Sequence, residues 1–295
     1  MDPQTFLDVA TVVTKLKMYP YFDVAHYVLC CLAVRDDIVS QAQTAAGQAL
    51  TFQRKHPLSS WLSSMLVCFA GSIVANFLLG EPILTPFKDQ RDLATASIIW
   101  WVYMINYCPF DLVYKLAKLL PFKLLICMLK EVQRAHKVYH GVVHTAKLYP
   151  SAYVVIVVIG IVKGNGSGLI KNFERLVRGI WIPGSNELLQ PTFVTKECLV
   201  ASIIFLLERL GYIAVPHPLI YFGVVIFFVY FKISSLLLGI VDPFVPLENL
   251  FCAIFMGGMW DAMRRAVKTE PVKEEDKDGL LRNDVIKSKE EKKKE

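Results

Sequence analysis

Residues 130–141 read KEVQRAHKVYHG, a charged run within a chain that is mostly apolar. Lys130, Arg134, Lys137 and Gly141 recur at helical spacing, so on an α-helix they share one face. Each cation costs about 2.5–3.5 kcal/mol at the centre of a bilayer, and three cannot point into lipid together. The stripe must therefore face water, an anionic partner or lipid headgroups. A solvated loop helix between two shorter spans is the alternative.

The composition of the chain favours a membrane protein. Of 295 residues, 54% are hydrophobic and 20% are charged, and the mean hydropathy is +0.43. Soluble domains are about 45–50% apolar with about a quarter of their residues charged. Because a spanning helix needs about 20 mainly apolar residues, the sequence predicts an all-α membrane protein with seven transmembrane helices. They lie at about 18–34, 58–80, 93–110, 122–148, 151–177, 195–214 and 218–240.

The first six spans divide into two halves. Residues 17–118 and 121–214 each hold three predicted spans, and two groups with an odd number of spans have opposite topologies. We therefore predict two inverted three-helix repeats. The seventh span, at 218–240, is an addition, and residues 1–245 form one seven-span domain.

Basic residues near the span ends predict the orientation of the chain. Ten lie on one side and six on the other, so the richer side is cytosolic, the N-terminus luminal and the C-terminus cytosolic. We expect an amphipathic, interfacial helix at 246–266 and a disordered, charged cytosolic tail at 267–295. Lys292 and Lys293 resemble a dilysine retrieval signal for the endoplasmic reticulum. The end of a lysine-rich tail is the alternative interpretation.

Glycines interrupt the fifth span in the run KGNGSG at 163–168. Glycine permits irregular backbone, and the freed N–H groups, together with the start of the next helix, form an anion nest. A phosphate bound there, beside the basic stripe, is one interpretation; close helix packing by small residues is the other. Gly71 and Ser72 lie at the matching place in the second span, and such paired interruptions indicate the functional site of inverted-repeat folds.

Other polar residues in the spans have simpler interpretations. Asp23 and His26 lie one turn apart and predict a hydrogen-bonded interior pair, with an ion site as the alternative. Glu174 and Arg175, at the end of the fifth span, are predicted at the membrane interface.

Several classes of function are not supported by the sequence. The basic residues form no nucleic-acid-binding stripe. The seven cysteines form no C-x-x-C motif and no cluster with histidine, so we interpret them as small buried apolar side chains rather than a metal or redox site. No nucleophile elbow, HExxH motif or catalytic triad spacing occurs. We therefore expect no enzyme activity, no metal and no cofactor.

Several motifs together resemble one family of membrane proteins. The run KEVxRxxKV at 130–138 looks like the KEV motif of trimeric intracellular cation (TRIC) channels. The further similar motifs are PYFDVAHY at 20–27, CPFDL at 108–112, GxxKGxGxG at 160–168 and NFERLVxG at 172–179. They occur in the family's order, and the similarity covers about residues 15–245.

The resemblance implies a homotrimer of seven-span subunits, each with its own pore. It implies a potassium-permeable channel of the endoplasmic or sarcoplasmic reticulum, whose flux balances the charge moved by calcium release. It also implies phosphatidylinositol bisphosphate as a bound regulatory lipid. A secondary transporter built on inverted repeats is the alternative function, because such carriers also use broken helices.

The resemblance, together with the spacing, assigns residues to two sites. The glycine-broken second and fifth helices are expected to line the pore. The lipid-binding residues are Lys130, Arg134, Lys137, Gly164, Gly166, Ser167 and Gly168. The pore or gate residues are Lys163, Gly71, Ser72 and Asn165.

Overall fold

The described part of the chain is helical and contains no strand. The computed structural model describes residues 3–44, 55–104, 112–182, 184, 187–239, 242–258, 260 and 263–264. Its α-helices are α1 (Pro3–Thr14), α2 (Tyr21–Thr44), α3 (Pro57–Leu79), α4 (Gln90–Met104), α5 (Leu112–Lys118), α6 (Leu120–Leu148), α7 (Tyr153–Leu169), α8 (Lys171–Val177), α9 (Phe193–Arg209), α10 (His217–Leu238) and α11 (Val245–Phe255).

Three helical segments in the described residues are long and apolar enough to cross a membrane. They are Pro57–Leu79, Tyr153–Val177 and His217–Leu238, which match the second, fifth and seventh predicted spans. The other four predicted spans correspond to α2, α4, α6 and α9, which carry more charge or are shorter. The total of seven spans and the inverted repeat therefore stay predictions.

Several predicted boundaries were wrong. The first span, expected at 18–34, is a helix that continues to Thr44. The fifth, expected at 151–177 with an interruption at 163–168, has a further division between α7 and α8 at Ile170. The sixth ends at Arg209 rather than at 214. Helix α1 was missed altogether; it packs on α10, with Phe6 against Phe222 at a ring separation of 5.4 Å.

The chain divides into two compact units, Met1–Asp242 and Pro243–Glu295. The second unit contains α11, where an interfacial helix was expected over the longer range 246–266. The predicted tail at 267–295 lies outside the described residues, as do 105–110 at the end of the predicted third span.

Helix α6, which carries the basic stripe, lies inside the first unit. Pro121 occupies its first turn, where a missing N–H costs nothing, and the helix ends just before Pro150. It packs against α2, α7, α9 and α10, and Ala135, Val138 and Val142 are fully buried. The alternative of a solvated loop helix does not fit this packing.

Helix α7 packs against α3, α6 and α9, and glycines make these contacts close. A Cβ added at Gly71 of α3 would lie 2.6 Å from the carbonyl oxygen of Lys163, and one at Gly166 would lie 2.3 Å from the Cα of Gly71. The two backbones therefore touch, as the small-residue packing interpretation predicted. Bulkier side chains at either position would push the helices apart.

The two expected glycine interruptions have different outcomes. In α7 the backbone is non-helical at Asn165, with φ −125° and ψ 31°, so the expected interruption is present there as a kink. In α3 the helix runs through Gly71 from Pro57 to Leu79, so the expected break in the second span is wrong. Gly71 is needed for close approach rather than for irregular backbone.

The contact between α3 and α7 leads to a test on stability. We expect Gly166→Ala to lower the free energy of unfolding by about 1–3 kcal/mol, because the new methyl group overlaps the backbone of α3. The matched control is Gly223→Ala in α10, where an added Cβ meets nothing within 4 Å. Alanine is the better helix former, so the control should lose no stability. Thermal unfolding in detergent measures both; equal losses would contradict the close contact.

Candidate functional site

Two adjoining cavities lie between the helices of the first unit. The smaller, with a volume of about 20 Å³, is a constriction bordered by α2, α3, α6 and α7. It has room for about one water molecule. The larger, about 610 Å³, is the vestibule. Val67, Lys130, Arg134 and Ser167 line both cavities, so the vestibule and the constriction are direct neighbours.

These cavities bring together almost all the residues that the sequence assigned to the two sites. The constriction is lined by Gly71, Lys130, Arg134, Lys137, Lys163, Gly164, Gly166 and Ser167. Asn165 and Gly168 line the vestibule. Ser72 lines neither, but its Oγ lies 3.5 Å from the Nζ of Lys163. Apart from Ser72, the predicted lipid residues and pore residues therefore line two adjoining cavities.

The constriction is cationic. Lys137 Nζ lies 3.0 Å from His26 Nε2, and that same ring nitrogen lies 2.9 Å from the carbonyl oxygen of Cys68. Lys163 reaches Ser72. Within the described ranges neither lysine has a carboxylate at ion-pair distance. Two ammonium groups without an ion-paired carboxylate in so narrow a space oppose the passage of another cation.

Asp23 and His26 do not form the interior pair that their spacing predicted. Gln133 of α6 donates a hydrogen bond to Asp23, while His26 contacts Lys137 and Cys68. Both side chains of α2 therefore face α3 or α6 rather than each other. The prediction failed because one helical turn of spacing makes a contact possible, but partners on other helices compete for the same groups.

Arg134 is held in a buried ion-pair cluster. Its guanidinium contacts Glu131 on the same helix, and Nη1 lies 2.7 Å from Glu197 Oε1 on α9. The side chains of Arg134, Glu131 and Glu197 are 8%, 1% and 2% exposed. Arg134 therefore joins α6 to α9, a role that the sequence analysis missed. Its predicted contact with lipid stays a prediction.

A second ionic cluster lies beside the vestibule, which its members Asp37 and Glu174 line. Arg175 and Arg178 each lie 2.5 Å from a carboxylate oxygen of Asp37, and Arg178 Nε lies 2.7 Å from Glu174. Burial alone raises the pKa of Asp37, but the two guanidinium groups hold it below its ordinary value. Glu174 and Arg175 were predicted at the membrane interface; both are buried within the protein, and their depth in the membrane stays a prediction.

The described residues contain no group of three or more histidine, cysteine or acidic side chains able to hold a metal. The cysteines described in α2, α3, α6 and α9 are free and buried, as predicted. Cys252 in α11 is exposed, so the prediction was wrong for that residue. Cys108 lies outside the described part of the chain.

Comparison with known proteins identifies close similarity to one channel family. The model of the TRIC channel family matches residues 46–239 of this chain. The chain is 54% identical over 268 residues to trimeric intracellular cation channel type 1B.1 of Caenorhabditis elegans. This alignment covers 90% of this chain and 88% of the relative. It is 37% identical over 250 residues to the type B channel of Danio rerio, with 84% and 83% covered.

A solved structure supports the same conclusion. A TRIC channel from C. elegans, determined in the absence of Ca²⁺, superimposes with a TM-score of 0.73 at 49% sequence identity. The match covers 82% of this chain and all of the other. Sequence and fold therefore agree on one family of ion channels, whose members are not enzymes.

The buried cluster around Arg134 leads to a second test. We expect Arg134→Met to lower the free energy of unfolding by about 3–5 kcal/mol, because Glu131 and Glu197 would remain buried without a cation. Lys130→Met, one turn away and without a carboxylate partner in the described residues, should cost far less. Thermal unfolding in detergent compares the two variants.

The double variant Arg134→Met with Glu197→Gln provides the control for this test. Removing one buried carboxylate should recover part of the loss, with a coupling of about 0.5–3 kcal/mol. Strictly additive effects would mean that the two side chains do not stabilise each other.

Proposed function

The chain belongs to the TRIC channel family, and on that premise we propose that it is a potassium-permeable channel of the endoplasmic or sarcoplasmic reticulum membrane. It assembles as a homotrimer in which each protomer has its own pore. Its ion flux balances charge during calcium release. In support, a solved structure concerned with TRIC counter-ion channels in calcium release superimposes with a TM-score of 0.71 at 34% identity and covers 79% of this chain.

The observation that carries the proposal is the vestibule that narrows into the constriction. A chamber of about 610 Å³ has space for hydrated ions, whereas about 20 Å³ holds a single water. On this proposal the pathway is closed at the constriction, and opening requires movement of α2, α3, α6 or α7, which border it.

Lys137 and Lys163 act as the electrostatic part of this gate. Two unit charges 4 Å apart interact by about 4 kcal/mol at an effective dielectric constant of 20. A potassium ion between two ammonium groups meets a barrier of that order from each one. Displacing either side chain towards the wider vestibule lowers the barrier, so conduction is coupled to the position of α6 relative to α7.

The regulatory lipid binds where the vestibule meets the constriction. Lys130 lines both cavities, and Lys171 and Lys232 line the vestibule. In the described residues none of the three has an ion-pair partner. Unpaired ammonium groups around one chamber suit the phosphate groups of phosphatidylinositol bisphosphate. Gly164, Gly166, Ser167 and Gly168 bring the backbone of α7 close to the same place.

The lipid assignment is tested on Lys130 alone, because Arg134 also stabilises the fold. We expect Lys130→Gln to weaken binding to vesicles containing phosphatidylinositol bisphosphate by about tenfold or more, since a charge-assisted hydrogen bond contributes about 1.5–3 kcal/mol. The matched control is Lys147→Gln, at the far end of the same helix, which should bind like the unmodified protein. Unchanged binding by Lys130→Gln would remove this residue from the site.

The channel itself is tested by single-channel recording of purified protein in a planar bilayer. We expect unitary current steps when potassium is the only cation in the recording solutions, because an open pore passes ions without a coupled substrate. Saturable flux that depends on a second substrate, without unitary steps, would indicate the secondary transporter instead.

A further inference from the structure

Glu187, in the loop between α8 and α9, reaches the kink of α7. Its Oε1 accepts hydrogen bonds from the Asn165 amide at 3.1 Å, from the backbone N–H of Thr192 at 3.0 Å and from the hydroxyl groups of Thr192 and Thr195 at 2.5 Å. All of these donors are neutral. No motif or helical spacing in the sequence includes Glu187, so its place beside the kink could not be predicted from the sequence.

The second carboxylate oxygen of Glu187 has a different environment. Oε2 accepts no hydrogen bond within the described residues, and it is not among their buried atoms. A Cβ added at Gly168 would lie 3.1 Å from it, so this oxygen lies close to the backbone of α7 after the kink. Glu187 lines the vestibule. One oxygen thus anchors the side chain, and the other is open to the cavity.

The other acidic residues of the vestibule have their charges compensated. Asp36 lies 2.7 Å from Lys118. Asp37 pairs with two arginines, and Glu174 pairs with Arg178.

Glu187 differs from these acids. No lysine or arginine in the part of the chain that the structure describes lies at ion-pair distance from it. Among the acidic residues that line the vestibule, its charge alone is held by neutral groups only.

We propose that Glu187 is the residue that gives the vestibule its preference for cations. This inference rests on the proposed channel function, in which lipid phosphates neutralise the vestibule lysines. The carboxylate that then remains uncompensated raises the local concentration of potassium at the mouth of the constriction, as a charged cleft does for counter-ions. Its hydrogen bonds, one from Asn165 of α7 and three from Thr192 and Thr195 at the start of α9, hold that charge between the two helices without cancelling it.

Glu187→Gln is the substitution that separates charge from structure. The amide oxygen of glutamine can accept the hydrogen bonds that Oε1 now accepts, while the amide nitrogen replaces Oε2. The matched control is Glu208→Gln on α9, whose carboxylate lies 2.7 Å from His217 and does not line the vestibule. Thermal unfolding in detergent first establishes that both variants are folded.

The test is single-channel recording of the full chain in bilayers containing phosphatidylinositol bisphosphate, under a KCl gradient. We expect the reversal potential of Glu187→Gln to move towards that of chloride and its conductance at low salt to fall several-fold. At 1 M KCl the conductance of Glu187→Gln should approach that of the unmodified protein, because the Debye length falls from about 30 Å at 0.01 M to about 3 Å at 1 M. Glu208→Gln should behave like the unmodified protein.

Two results overturn the inference while the channel stands. One is an unchanged reversal potential in Glu187→Gln. The other is a loss of conductance that is equal at low and high salt, since that would mean that Glu187 stabilises the structure and that its charge does not act on the ions. A well-folded unmodified protein without unitary currents would overturn the channel proposal, and this inference with it.

Discussion

The cost of placing charge in lipid governs the arrangement of the helices. Lys130, Arg134 and Lys137 share one face of α6, and each would cost several kcal/mol at the bilayer centre. The face turns inward, where Arg134 pairs with Glu197 of α9 and Lys137 approaches His26 of α2. Helix α6 therefore occupies the interior of its unit, and the most apolar helices, α3, α7 and α10, pack around it or beside one another.

Close backbone contact then determines the width of the constriction. Because Gly71 and Gly166 let α3 and α7 touch, the space between them and α6 narrows to about 20 Å³. At Asn165 the backbone of α7 leaves helical geometry, and the wider vestibule lies beside that residue. A narrow passage and an adjacent chamber thus follow from two local features of one helix: small residues where it contacts α3, and a kink anchored by Thr195 and Glu187.

The spacing of nearby residues predicted the features that depend on one helix alone. The shared face of α6 and the interruption of the fifth span could both be read from residues within a few turns of one another. The grouping of Lys130 with Gly166 also needed the family resemblance, and the shared lining of the constriction by Lys130 and Lys163 was not predicted. Partners distant in the chain could not be read this way. Glu197 lies 63 residues from Arg134, and Asp37 lies 138 residues from Arg175. Gly71 shows a further limit, because glycine permits both a break and a close contact, and only the neighbouring helix decides which one forms.

A pathway for cations that is lined by lysines raises an electrostatic problem. In the vestibule, Lys130, Lys171 and Lys232 outnumber the uncompensated charge of Glu187, so without an anionic ligand the chamber repels potassium. If these lysines bind lipid phosphate groups as proposed, the phosphates reverse the sign of the local field. On the proposed function, the lipid is therefore part of the electrostatics of conduction and not only a ligand that stabilises one arrangement of helices. The positive constriction still lies next to this chamber. Lipid occupancy alone therefore fills the vestibule with cations but does not open the constriction. Movement at Lys137 or Lys163 is needed to let the cations through.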